Sequence, residues 1–441
     1  MNAAYSPERR TALVLVGTGT HGAYHAGVLR ALQEAGVKLD VVAGQGVGAA
    51  GAALAAIDGG ARLWEADGVW RGPHARSLYG WRWPIGLAAW LAFPLVAALM
   101  LRFVFVIAGA GAPSIIVFAP AAFTAAIVAV LLAGLVSEWL RRPAQRRATG
   151  GWWWRIAGAP LDADAARGLF IETIWQSICG AAPVKRPGLD VLGSRYSEML
   201  TENLGQPGFR ELMMTVADVD TRSDIVAAIV REPYRREFMA RRAGRERQAE
   251  ALDLAGVGRT HALDVVAGAL SLPLGTEPHL VTFSAAGYWR GETHRFCDRP
   301  GAIARLLDEL SAVGVSQAVV VTAVPASTGP HRLNAPRLDV RSRIGEFLSV
   351  SEAASVRDAL SRAADFDALF LICPAHNPLG PFDFGGAYDE ASDRHQTIVE
   401  LMERGYEDAY RQFIEPVVGA SGERIGLPNG QRVLDDADSP R

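Results

Sequence analysis

The sequence predicts an α/β domain with a mostly parallel central sheet, interrupted by a two-helix transmembrane hairpin. Three observations carry this. Two strand, glycine turn and helix units follow one another within the first 57 residues. Further strands alternate with helical segments as far as Ile372, and two long apolar stretches lie between Trp81 and Arg147. Such alternation implies parallel strands covered on both faces.

The first unit is a strand, Thr11 to Val16, a turn with Gly17, Gly19 and Gly22, and a helix, Ala23 to Gly36. The second is a strand, Leu39 to Ala43, which runs into Gly44-Gln45-Gly46-Val47-Gly48 and an alanine-rich helix to Ile57. Strand, sharp turn and helix in that order are what a nucleophile elbow requires. Next come the apolar stretches, separated by the helix-weakening run Gly109-Ala110-Gly111-Ala112-Pro113. Pro113 to Ser137 holds no charged residue, and about 20 apolar residues suffice to span a bilayer. Pro84 to Ile107 carries Arg102, which would cost about 3 kcal/mol at a bilayer centre and less near an end, where it can snorkel.

Arg71, Arg76 and Arg82 precede the hairpin, and Arg141, Arg142, Arg146 and Arg147 follow it. Positive flanks place both ends in the cytoplasm. Trp81, Trp83, Trp139 and the run Trp152 to Trp154 stand where an aromatic belt would meet the headgroups, although that run equally suits packing against the soluble domain. Later strands are expected at Glu211 to Ala217, Leu280 to Phe283, Ala318 to Ala323 and Ala368 to Ile372. The expected organisation is an N-terminal part of the α/β domain at 1–80, the hairpin at 81–147, the remainder of the domain at 148–415 and a polar tail at 416–441.

A chain that is 50% hydrophobic and 21% charged has the composition of a large folded core, and a net charge of -3 argues against nucleic acid as a partner. Cys179, Cys297 and Cys373 have neither disulfide nor zinc spacing. No metal or cofactor is expected. The N-terminus lacks the cleavage pattern of a signal peptide. Gly17, Gly19 and Gly22 suit a dinucleotide turn, but the second strand ends in Gly44 and another glycine-rich elbow rather than in the acid that holds a ribose.

VGTGTHGAYHAGVLRALQEAGV followed by VVAGQGVGAAGAAL resembles the start of a patatin-like phospholipase domain. TVADVDTR at Thr215 to Arg222 is similar to that family's central strand, and VVAGALSLP at Val265 to Pro273 to its ASxAxP segment. The resemblance implies a three-layer patatin-like sandwich and lipid acyl hydrolysis by a serine in a GxSxG elbow paired with an aspartate. It makes Gly17, Thr18, Gly19, Thr20, His21 and Gly22 the oxyanion and ligand-binding loop, with His21 where arginine is usual. It makes Gly44, Gly46 and Gly48 the elbow. Gly46 then stands at the nucleophile position and Arg290 at the aspartate position. Glycine offers no oxygen, and a guanidinium cannot act as a base.

Asp298 and Asp383 are alternative acids, Asp383 reading more simply as a turn residue before Gly385-Gly386. Ser194, Ser197, Ser271, Ser284 and Cys297 are substitute nucleophiles outside any elbow, and His25 reads as a core histidine. The basic run Arg231 to Arg247 suits either anionic lipid or a solvated helix face. The expected function is a membrane-anchored, catalytically inactive, lipid-binding or regulatory protein, with membrane lipids and a protein partner at the membrane as its ligands. An active acyl hydrolase with a non-standard nucleophile and a membrane scaffold are the alternatives.

Overall fold

The computed structural model describes residues 5–109, 111, 113–141, 159–180, 184–241, 247–284, 289, 291–325, 339–362 and 365–419. They gather into two compact units. Residues 1–78, 166–273 and 278–441 form one, and residues 79–165 with 274–277 form the other.

Among the described residues, the main sheet of the first unit has nine strands: β1 Thr11–Gly17, β2 Val41–Gly46, β3 Glu211–Asp218, β4 Ser223–Ile229, β5 Ala249–Asp253, β6 His279–Thr282, β7 Thr293–Cys297, β8 Gln317–Thr322 and β9 Ala368–Ile372. Their order is β5-β4-β3-β2-β1-β8-β9. Pairing is parallel except where β4 turns back on β3 and where β7 runs antiparallel to β6 and to the end of β3. The α/β fold with a mostly parallel sheet is therefore as expected, and each of the six expected strands is present with its ends within three residues. β4, β5 and β7 were not anticipated. β5 (AEALD) and β7 (THRFC) carry polar residues that interrupt an apolar run, and β4 follows β3 through a tight turn inside what reads as one segment.

Inner strands are buried along their whole length because helices cover both faces. The α-helices of the described residues are α1 His21–Glu34, α2 Val47–Ala55, α3 Trp83–Ile107, α4 Ser114–Arg141, α5 Asp164–Cys179, α6 Leu189–Asn203, α7 Tyr234–Ala240, α8 Ala262–Ala269, α9 Ile303–Ala312, α10 Val340–Arg362 and α11 Ile398–Ala409. On one face, Val14, Val16, Val41, Ala43, Met213 and Val320 form a core with Ile303, Leu306 and Leu310 of α9. On the other, Gly51 of α2 meets Leu15 and Gly268 of α8 meets Val216. Each fully buried Val or Leu contributes about 1.5–3 kcal/mol. Glu211 at the start of β3 is buried and takes Arg10 in a two-point pair at 3.0 and 2.7 Å.

The second unit holds α3 and α4. Windows in both have mean hydropathy above 2 and are almost wholly exposed, so both are long and apolar enough to cross a membrane. At 1.5 Å per residue, α3 is about 37 Å long against a hydrocarbon core of about 30 Å. Arg102 lies five residues before the end of α3, about 8 Å along the axis, where snorkelling is open to it. Pro84 and Gly134 set the close approach of the two helices, since a Cβ on Gly134 would lie 2.5 Å from the Pro84 ring. The base of the hairpin is tied by Asp162 N–H to Gly80 O, Leu161 N–H to Gly275 O, and an Arg82–Glu277 pair at 3.6 Å.

Candidate functional site

The site lies where β1 and β2, paired at Gly17 and Gly46, pass into α1 and α2. Gly46 has φ 60 and ψ -132, the left-handed turn that lets a strand enter a helix within one residue. Gly44 and Gly48 flank it back to back, a Cβ on Gly44 falling 2.2 Å from Gly48 O. The elbow geometry is therefore present without a side chain. The space a side chain would use is taken, because a Cβ on Gly46 would stand 2.4 Å from the Gly17 carbonyl oxygen.

The same Cβ position is 3.1 Å from Asp298 Oδ2. Asp298 follows directly on β7, its N–H donates to Ser271 O at 2.7 Å, and Thr18 Oγ1 donates to its Oδ2 at 3.4 Å. Burial pushes the Asp298 carboxyl up to about 8, helped by the nearby Glu352 and opposed by hydrogen bonds from the Arg299 and Gly46 amides and Thr18. An acid beside the elbow is thus Asp298. Arg290, expected at that position, lies outside the described residues. Asp383 accepts from Gly380 N–H at 2.7 Å and holds its own turn, as a residue before paired glycines should.

The glycine-rich turn is also closed. Thr20 N–H donates to Pro381 O at 2.9 Å, and Thr20 Oγ1 donates to Gly380 O at 2.8 Å. Gly19, at φ 59, allows the approach, since a Cβ there would lie 1.9 Å from Pro381 O. The N–H groups of His21, Gly22 and Ala23 turn back to Thr18, Gly19 and Thr20. His21 Nδ1 is 3.4 Å from the Thr18 amide nitrogen and 3.3 Å from Glu352 Oε2. Glu352, on α10, accepts from Thr322 Oγ1 at 2.8 Å. Glu352, Thr322 and the Pro381 strap carry no sequence signal, since α10 and the strap reach the turn from 330 or more residues along the chain.

The substitute nucleophiles are dispersed. Burial, then Asp298, pushes the Cys297 thiol up to about 12, which leaves no thiolate at neutral pH. Ser271 Oγ donates to Ala267 O and accepts from Arg167, while Ser197 Oγ donates to Arg259 O. Ser194 is half-buried and Ser284 exposed, neither in an elbow. His25 donates from Nε2 to Val16 O, and burial, then His21, takes its pKa down to about 3, so it stays neutral in the core. In the basic run, Arg231, Arg235 and Arg241 pair with Glu211, Asp253 and Glu309, and Arg247 also meets Glu309. Those pairs tie it to the domain itself.

No curated protein matches the chain. Among solved structures, VipD from Legionella pneumophila aligns over 94% of this chain and 67% of its own at 15% identity, with a TM-score of 0.33. Residues 13–161, which contain the glycine-rich turn and the elbow but not Asp298, match the family model of patatin-like phospholipases, and over that stretch the chain is similar to a lipid-related hydrolase fold.

Proposed function

We propose that this chain is a membrane-anchored, patatin-like domain that does not hydrolyse lipid esters and acts as a regulatory or scaffolding protein at the membrane, meeting lipids or a protein partner there. The observation that carries this reading is the elbow, where Gly46 supplies no nucleophile and the Gly17 carbonyl oxygen lies 2.4 Å from where a Cβ would stand. Loss of the nucleophile from such a unit costs about a million-fold in turnover. The closed turn against Pro381 favours a role read out on the surface over acyl binding at Gly17 to Gly22. The raised Cys297 thiol and the dispersed serines weigh against hydrolysis by another nucleophile. Anchoring is supported by the two apolar helices, and a cytoplasmic domain by the flanking arginines.

The test is release of fatty acid from phosphatidylcholine, and of nitrophenol from p-nitrophenyl butyrate, by the detergent-purified full chain beside a fluorophosphonate labelling lane. Rates equal to buffer and an unlabelled band are expected. Turnover that fluorophosphonate abolishes overturns the reading.

A further inference from the structure

Away from the elbow, the sheet unit has a feature of opposite chemistry. Between the end of β8, the edge strand β9 and α10 runs a groove of about 190 Å³. Val324, Pro325, Val356, Leu360 and Leu371 line it together with Arg357. Arg357 is exposed, and its Nε–H turns back along α10 to Ala353 O at 3.2 Å. Among the described residues no carboxylate is paired with its guanidinium.

An aliphatic slot with one cation is the complement of an amphiphile with one tail and one anionic head. A peptide fits it less well, because a bound backbone needs hydrogen-bond partners that aliphatic walls do not offer. We propose that this groove binds the acyl chain of a free fatty acid, with its carboxylate on Arg357. The inner end also meets Thr322, whose hydroxyl bonds Glu352, so the ligand would lie beside the buried carboxyl network without entering it. The site is separate from the Gly46 elbow and does not depend on whether that elbow is silent.

The experiment is calorimetric titration of decanoate, and of decanol as its uncharged counterpart, into the full-length protein in non-ionic detergent. Ala353→Phe fills the groove from α10 and, in the same detergent, accounts for partition into micelles. Saturable one-to-one binding of decanoate is expected, weakened about tenfold by Arg357→Gln, as for loss of one charge-assisted pair. Decanol should bind equally to the wild type and Arg357→Gln, and Ala353→Phe should bind neither ligand while melting normally. Arg357→Gln is a surface change that keeps the proposal testable should Ala353→Phe misfold. Absence of saturable binding, equal binding by Ala353→Phe that folds, or indifference of decanoate to Arg357→Gln overturns it. So does a concentration-dependent dimer that decanoate fails to dissociate, which would assign the groove to a second copy of the chain.

Discussion

At the end of β2 the site has an elbow-shaped backbone with glycine at its tip, while at the end of β7 it has a buried carboxyl beside that tip. The two ends differ in what they demand of the fold. Gly46 relieves strain at φ 60 and lets the Gly17 carbonyl settle against the elbow. Asp298 does the reverse, since a wholly buried acid pushed up to about 8 disfavours its charged form. The elbow and the buried acid are therefore held by different parts of the fold. The turn is maintained by packing of β1, β2 and α2, whereas the acid is held by amides from Gly46 and Arg299 and by Thr18.

The sharpest way to break this contrast is to return the oxygen. Gly46→Ser places a Cβ 2.4 Å from Gly17 O and a side chain at a left-handed φ. The backbone and steric penalties together come to about 4 kcal/mol. Chemical denaturation should show that loss, and fluorophosphonate should leave the variant unlabelled because its hydroxyl enters a closed site. Labelling would mean that the glycine-rich turn opens readily and that only the nucleophile is missing. A comparable loss, about 4 kcal/mol, is expected of Gly19→Ala, whose Cβ at φ 59 would lie 1.9 Å from the Pro381 carbonyl oxygen. Hydrogen exchange would then quicken at Thr20, whose N–H that carbonyl accepts; unchanged protection there would separate the strap from the turn.

The acid end is tested by pH. Asp298 is raised from an ordinary 3.8 to about 8, so the folded protein retains a proton that the unfolded chain releases in that window. Stability present below about pH 4 is lost as pH rises towards 8, by up to about 1.4 kcal/mol per unit. Asp298→Asn keeps an acceptor for the two amides and cannot ionise. Its melting temperature should fall less between pH 5 and 8 than that of the wild type, leaving the variant the more stable by about 2 kcal/mol at pH 8. Parallel slopes would place the titration of Asp298 outside this window.

What was legible in the sequence follows the range of the forces involved. The elbow could be read because Gly44, Gly46 and Gly48 are local and follow a strand of the right pattern. The apolar helices could be read because an apolar run of that length, broken only by Arg102 in the first, is itself the signal. Asp298 entered only as an alternative acid because β7, the strand that delivers it, alternates polar and apolar residues and does not resemble a core strand. The Pro381 strap and Glu352 were invisible, since backbone carbonyls carry no sequence code and the glutamate lies in an ordinary polar helix. Loop donors therefore looked free in the sequence although the fold engages them.

The smallest effect belongs to the link between that glutamate and the sheet. Thr322 Oγ1, at the end of β8, is the hydroxyl that meets Glu352 Oε1 inside the unit. Thr322→Val preserves shape and removes the donor, leaving a buried carboxyl oxygen with one partner fewer, a cost of about 1–2 kcal/mol. Because Glu352 also stands beside His21, the perturbation should reach the glycine-rich turn, and the imidazole resonances of His21 should shift while those of His261, paired with Asp264, do not. A loss of stability with His21 unmoved would confine Thr322 to anchoring α10. Movement at both His21 and the amide of Gly46 would show that α10, the turn and the elbow respond as one network, which joins the acid end of the site to the glycine elbow.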